Sequence, residues 1–295
     1  MTAGAPEPGP LVIVDDLGDD RLVDYRDLND PAARRRLERA LGIMVVESRV
    51  PVRQLLATGL VIRSLLVDDH QMTLAADLVE AVRGSGAPVY VLPRDRMVDL
   101  VGFRLHRGVV AVADRPGDAD PGAVLAAAVG RSGLHGGPPL VAVLEGLNDP
   151  ENIGALFRNA AAFGVVAVLL DPTCGDPHYR RAIRVSAGHS LHVPFARLDP
   201  WPDGLDRIRA AGFLLCALAP NPGPREALPV QRLATRVAAR RPAGVALLFG
   251  AEGPGLTPAA LAAADEVVCI PMADGVDSLN VATAAAVAFA RLTAD

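Results

Sequence analysis

Five polar side chains occur in short segments that each follow an apolar run: Asn152 and Arg158, then Glu252, then Ser278 and Asn280. An arginine holds an oxyanion in a planar fork and keeps its proton. A carboxylate can orient that fork, and short amides and hydroxyls hold hydrogen-bonding groups in place. Together they suit the holding of a polar ligand.

The segments share one form. Residues 141–144 are apolar and lead into Glu145-Gly-Leu-Asn-Asp-Pro-Glu-Asn152-Ile-Gly154-Ala-Leu-Phe-Arg158. Residues 245–249 are apolar and lead into Gly250-Ala-Glu252-Gly-Pro-Gly255. Residues 267–270 are apolar and stop at Pro271, which cannot donate to a ladder. A loop with Gly275 follows, and Asp277 or Ser278 is then expected to cap an Ala-rich helix. In each case a strand is expected to end where a helix or glycine turn begins, the edge at which open α/β sheets place ligands.

The elements that position these residues alternate along the chain. From 139 onward, strands are expected near 140–144, 165–170, 191–195, 213–218, 245–249 and 266–270. Helices are expected near 151–163, 178–187, 204–211, 230–240, 257–263 and 278–293. Nearly continuous apolar strands separated by helices indicate a parallel sheet covered on both faces. Residues 31–113 alternate too and read as a small α/β domain. Residues 1–30 form an acidic N-terminal segment, and 114–138 a linker that opens and closes on Gly and Pro with a short Ala-rich helix expected between. Arg34, Arg35, Arg36 and Arg39 share a helix at 31–41, read first as a solvated face and second as an RNA contact.

The three segments, in order and each after a strand, resemble the signature motifs of the SpoU-type (TrmH-like) RNA ribose 2′-O-methyltransferases of the SPOUT superfamily. Asn152-x-Gly154-x3-Arg158 resembles the first motif and Gly250-x-Glu252-x2-Gly255 the second. Ile270-Pro-Met272 through Ser278-Leu279-Asn280 resembles the third. The resemblance spans residues 139–295. It implies a C-terminal α/β domain with a deep trefoil knot, preceded at 31–113 by a small L30e-like domain that grips RNA. It implies S-adenosylmethionine as methyl donor, held largely by backbone groups at Gly250, Ile270 and Leu279, with Ala219 and Met272 as neighbours. It implies a reaction centre of Arg158, Glu252, Asn152, Ser278 and Asn280, with Glu252 pairing with or orienting Arg158, or contacting the ribose. The family proposal makes Arg158 a base; a clamp on the phosphate beside the ribose agrees better with a guanidinium that stays protonated. It implies a homodimer formed through the knotted domain, for which the nearly uncharged last helix is suited.

Within the first domain, the stretch at 103–108 holds Arg104, His106 and Arg107 beside Gly108, a set able to bind phosphate or to form an exposed turn. The segment Arg184-Val-Ser186-Ala-Gly188-His189 also resembles the family, which usually has alanine at the position of His189. His189 and His192 lack a third ligand nearby, so no metal is expected. The expected activity is methyl transfer to a ribose 2′-hydroxyl of rRNA or tRNA, rRNA being favoured. The alternative is an RNA- or ribosome-binding protein of this fold without catalysis. A different nucleotide-binding protein lacks support, since there is neither a Walker A loop nor a Gly-x-Gly-x2-Gly opening a helix after the first strand.

Composition sets the outer bounds. The chain has 295 residues, 51% apolar, which suffices for two domains with sizeable cores. Net charge is −5, unusual for an RNA binder, but it is unevenly spread. Residues 1–30 carry eight acids and two Arg, whereas the remainder carries 27 Arg and 26 acids. All 29 basic residues are Arg, as a GC-rich genome would produce. Cys174, Cys216 and Cys269 show no metal spacing and are expected as buried free thiols, consistent with the cytoplasm. The N-terminus is not expected to be a signal peptide, and no membrane span is expected.

Overall fold

The computed structural model describes residues 7–26, 28–29, 31–103, 108–220 and 226–293. Two compact units appear. The first takes residues 1–117 together with 178–191, and the second takes 118–177 together with 192–295.

The first unit contains β1 (Leu11–Ile13), α1 (Pro31–Leu41), β2 (Ile43–Glu47), α2 (Arg49–Ala57), β3 (Ile62–Asp68), α3 (Ala76–Gly84), β4 (Val89–Leu92), α4 (Arg94–Val101) and β5 (Val109–Asp114). Its mixed sheet has the order β1-β4-β3-β5-β2, with β5 antiparallel to both neighbours. Apolar layers lie on both faces: Met44, Val46, Leu65 and Val67 point one way, and Ile43, Val45, Leu66 and Val112 the other. That division follows the two-residue period of a strand. The Arg cluster of α1 is not wholly a solvated face. Arg34 is buried, bonded through Nε to Glu38 Oε1 at 2.9 Å, and also donates to the Asp24 carbonyl. A buried guanidinium is tolerated when paired in this way.

The second unit begins with α5 (Pro121–Val129), inside the stretch read as linker. It continues through β6 (Leu140–Glu145), α6 (Pro150–Ala162) and β7 (Ala167–Leu170). The chain then makes α7 (Arg180–Val185), which belongs to the first unit, although the sequence reading placed residues 139–295 in one domain. Arg180 explains the difference. Only 4% exposed, it donates to Glu47 Oε2 at 2.5 Å and to the Leu28 carbonyl at 3.1 Å, and its guanidinium lies 4.3 Å from the Phe103 ring centre. Arg184 lies 2.9 Å from Glu47 Oε1 as an ion pair without hydrogen-bond alignment.

The second unit resumes with β8 (Phe195–Arg197), α8 (Leu205–Ala210), β9 (Phe213–Leu218), β10 (Leu228–Pro229), α9 (Leu233–Arg240), β11 (Gly244–Gly250), α10 (Pro258–Ala263), β12 (Glu266–Cys269) and α11 (Val281–Thr293). Seven strands form one sheet in the order β10-β12-β9-β11-β6-β7-β8, and every pairing is parallel. The expected doubly covered parallel sheet is therefore present. The third strand expected at 191–195 lies instead at β8, because residues 189–191 form a 3-10 turn. Cys174 and Cys216 are buried and free, and burial pushes each thiol up to about 12. Cys269 is free and half-buried. Among the described residues, no helix is long and apolar enough to cross a membrane.

Candidate active site

Adjacent parallel strands bring their carboxyl ends to one edge, so the chain segments that leave β9, β11 and β12 meet there. They enclose a cavity of about 630 Å³ in the second unit. Its lining includes Ala219 after β9, Gly250 to Leu256 after β11, Ile270 and Met272 after β12, and Ser278, Leu279 and Asn280 before α11. All five residues expected at a donor site, Gly250, Ile270, Leu279, Ala219 and Met272, thus face one space. Glu252, Ser278 and Asn280 share it; Asn152 and Arg158 are outside its lining.

The glycine turn has a steric cause. A Cβ on Gly250 would lie 2.3 Å from the Gly255 carbonyl carbon and 2.4 Å from the Leu256 nitrogen, closer than any real contact. The turn folds back on itself, with Gly255 N donating to the Ala251 carbonyl at 2.9 Å. Gly253 and Gly255 adopt φ of +86° and +69°, which glycine permits at least cost. The glycines therefore shape the loop wall, and the close approach at Gly250 is to its own loop.

Asn280 is the hub of the polar cluster. Its Oδ1 accepts from the backbone N–H groups of Ala282 and Thr283 at 3.0 and 3.2 Å, which caps α11. The cap expected at Asp277 or Ser278 is thus two or three residues later, and both of those residues precede the helix. With its oxygen committed, the Asn280 amide nitrogen donates to Asn152 Oδ1 and Glu252 Oε1, each at 2.8 Å. One side chain joins all three motif segments. Glu252 was expected to pair with or orient Arg158 or to contact the ribose; its carboxylate accepts from Asn280, and no bond to Arg158 forms among the described residues. Arg158 is exposed and makes no hydrogen bond or ion pair among the described residues. The Ser278 hydroxyl is likewise exposed without a partner among the described residues. Arg104, His106 and Arg107 lie outside the described residues.

Three supporting side chains escaped the sequence reading. Asn159, two helical turns from Asn152 on the same face of α6, donates to the Ala282 carbonyl at 2.8 Å and fixes α6 to α11. Glu145 ends β6 and is 4% exposed. It accepts from Trp201 Nε1 at 2.7 Å, Thr257 N at 2.8 Å and Thr257 Oγ1 at 2.7 Å, and Thr257 caps α10 just after the glycine turn. Asp171 is buried at the end of β7 and accepts from Gly146 N at 2.9 Å and Cys174 N at 2.7 Å. A buried carboxylate needs such donors. An acid ending an otherwise apolar strand was the signal available for both. Phe249 of β11, which lines the cavity, meets Phe289 of α11 edge to face, 5.8 Å between centres.

Residues 139–290 match the SpoU rRNA Methylase family. An uncharacterized tRNA/rRNA methyltransferase of Mycobacterium tuberculosis is 42% identical over 99% of this chain and 96% of its own length. An AdoMet-bound rRNA methyltransferase from Sinorhizobium meliloti superposes with a TM-score of 0.74 at 21% identity, covering 96% of this chain and 98% of its own. A solved RNA 2′-O ribose methyltransferase gives 0.73 at 23% identity, covering 96% and 97%. At these identities the two structures are similar to this chain in fold.

Proposed function

The chain belongs to the SpoU rRNA methylase family, and on that premise we propose that it methylates a ribose 2′-hydroxyl of RNA, with S-adenosylmethionine as donor and rRNA favoured over tRNA. The observation that carries the reading is the Asn280 cluster, in which one amide joins Asn152 and Glu252 at the rim of a cavity lined by the expected donor residues. The names of the two solved relatives, one AdoMet-bound and one a ribose 2′-O enzyme, point the same way.

The cavity fits the donor. Its walls at Leu218, Phe249 and Val268 are apolar, and backbone polar groups are available at Gly250, Ile270 and Leu279. When bound there, S-adenosylmethionine supplies an electrophilic methyl group. Glu252 and Asn152 hold Asn280, and Asn280 fixes the start of α11 and with it Ser278 and Leu279. Arg158 has an uncommitted planar fork, with which it clamps the phosphate beside the target ribose and orients the hydroxyl. Held so, the reactants need not find each other in solution, a gain that positioning alone can supply.

The first unit, including the stretch that holds Arg104, His106 and Arg107, is assigned to gripping RNA outside the reaction centre. The working form is a homodimer. Val276 and Leu279, beside the cavity, are 48% and 38% exposed in one chain, and a second copy would cover such apolar residues. Calorimetry with S-adenosylmethionine tests the donor, and transfer of labelled methyl to bulk rRNA and tRNA tests the acceptor. Label on a base, or failure of alkali to spare the modified linkage, would overturn the ribose assignment. A fully active monomer in sedimentation would overturn the dimer.

A further inference from the structure

Among the described residues no cation lines the cavity, and its charged lining residues are Glu252 and Asp277, which disfavour phosphate. The backbone of an RNA that presents a ribose there must be held elsewhere. Arg158 offers one fork, and α9 with the residue that precedes it offers three more. Arg232, Arg236 and Arg240 follow one another at intervals of four, an axial rise of about 6 Å per step along one side of the helix. Each is exposed, while Leu233 and Val237 turn inward and are buried. The stripe thus faces solvent.

Neutralisation of the stripe is partial. Glu266 Oε1 lies 2.7 Å from Arg240 and 3.5 Å from Arg236, one acid between two cations. Arg232 has no acidic partner among the described residues. The Glu266 side chain is only 13% exposed, so it holds the inner end of the row, whereas the arginine side chains are 44% and 46% exposed and keep donors free for a phosphate. The register places the free end of the stripe beside the site. Leu228 and Pro229 pair with Val268 and Cys269, and Val268 and Ile270 line the cavity. Arg232 follows Pro229 by three residues, so it sits at the same carboxyl edge, one strand away from Ile270. In a chain of net charge −5, a cationic row at that edge is a local exception.

We propose that the stripe formed by Arg232 at the N-terminal boundary of α9 and by Arg236 and Arg240 within it is a phosphate track for single-stranded RNA, leading the acceptor strand to the cavity rim. The inference rests on the RNA methyltransferase reading and adds a surface to it. Arginine forks recognise consecutive phosphates without reading bases, so the track contributes affinity and salt dependence and little sequence preference.

The test uses the full chain and a fluorescein-labelled 20-nucleotide single-stranded RNA of mixed sequence, with anisotropy measured across a salt series. Arg232→Ala with Arg236→Ala is expected to weaken binding and to flatten the slope of log K against log salt by about 1.4, at about 0.7 for each lost phosphate contact. Arg232→Lys with Arg236→Lys is expected to keep most of the slope, because charge alone supplies that dependence. S-adenosylmethionine affinity, read by calorimetry, is expected to be the same in all three proteins, which shows that the second unit is folded. Wild-type binding with an unchanged slope in the alanine variant overturns the track and leaves the methyltransferase reading standing. Absence of RNA binding by the wild type overturns both. Preferential binding of the stripe to vesicles rich in anionic lipid, lost in the alanine variant while RNA binding persists, assigns the surface to a membrane and overturns the track.

Discussion

Substituting Asn280 separates two functions that one side chain performs. In Asn280→Ala the cap of α11 is lost, costing about 1 kcal/mol. The two hydrogen bonds to Asn152 and Glu252 are also lost, and at an exposed site these add at most about 1 kcal/mol together. For a unit of this size the total lowers Tm by about 2–8 °C. Asn280→Asp keeps the cap, since a carboxylate accepts from Ala282 and Thr283 and suits a helix start. It removes the donor and sets a second carboxylate against Glu252, which lies 2.8 Å from the present amide. Repulsion of about 1 kcal/mol follows for like charges some 4 Å apart in water, and salt screens it. At low salt the aspartate variant is therefore expected to lose about as much stability as the alanine variant and to bind S-adenosylmethionine more weakly, with partial recovery of both at high salt, which the alanine variant does not show. Adding Glu252→Gln restores a donor facing an acceptor and is expected to recover donor binding at any salt. Thermal denaturation and calorimetry on the four proteins read both effects. An alanine variant as stable as wild type, or an aspartate variant with normal donor affinity at low salt, would refute the hub.

Gly250→Ala forces a Cβ into the Gly255–Leu256 backbone and is expected to remove donor binding, measured by calorimetry, with loss of at least about 1–3 kcal/mol of stability. Arg158→Ala is expected to remove methyl transfer while donor affinity stays within a few-fold. Arg158→Lys is expected not to restore transfer, because an ammonium lacks the fork; near-normal turnover by either variant would remove Arg158 from the reaction centre. Arg180→Met leaves the buried Glu47 with only the unaligned Arg184, and a loss of about 3 kcal/mol is expected in chemical denaturation. In the folded protein, Cys269 is expected to react first with a thiol reagent at pH 8. Burial keeps Cys174 and Cys216 protonated, each pushed up to about 12. Because unfolded thiols ionise first, stability should fall as pH rises from the ordinary thiol value toward 12, and a flat denaturation midpoint across that range would contradict the burial.

Much of the second unit was legible because parallel strands buried on both faces leave uninterrupted apolar runs. Residues 141–144 and 245–249 are such runs, and the structure pairs them in register as the core of the sheet. The cavity lining was legible because glycines, Pro271 and short polar residues mark where strands stop. Other features carried weaker signals. Three residues able to cap, Asp277, Ser278 and Asn280, lie within four positions, and only the hydrogen bonds of the fold select the last. The two-residue strand β10 is too short for any period to register. Ala288 illustrates a limit of composition. The Ala-rich last helix suggested an intersubunit seam, yet Ala288 is fully buried within its own chain, so a charge there would break the core before any interface was tested. The half-buried positions Val287 and Ala290 are the ones that probe a neighbour. The site of α7 was also hidden, because an apolar period reports that a helix is buried and not which sheet it is buried against.

The placement of α7 has a consequence for synthesis and exchange of the first unit. Its five strands have all been synthesised by residue 114, but Ile183, which completes one of its apolar layers, and Arg180, which pairs with Glu47, follow much later. The nascent unit therefore waits, with a buried carboxylate uncompensated, while β6, α6 and β7 are made. For the same reason the unit is not a cassette. A recombination event that cuts once near residue 117 separates the sheet from its last helix, and a viable exchange needs two further joints, around residues 177 and 191.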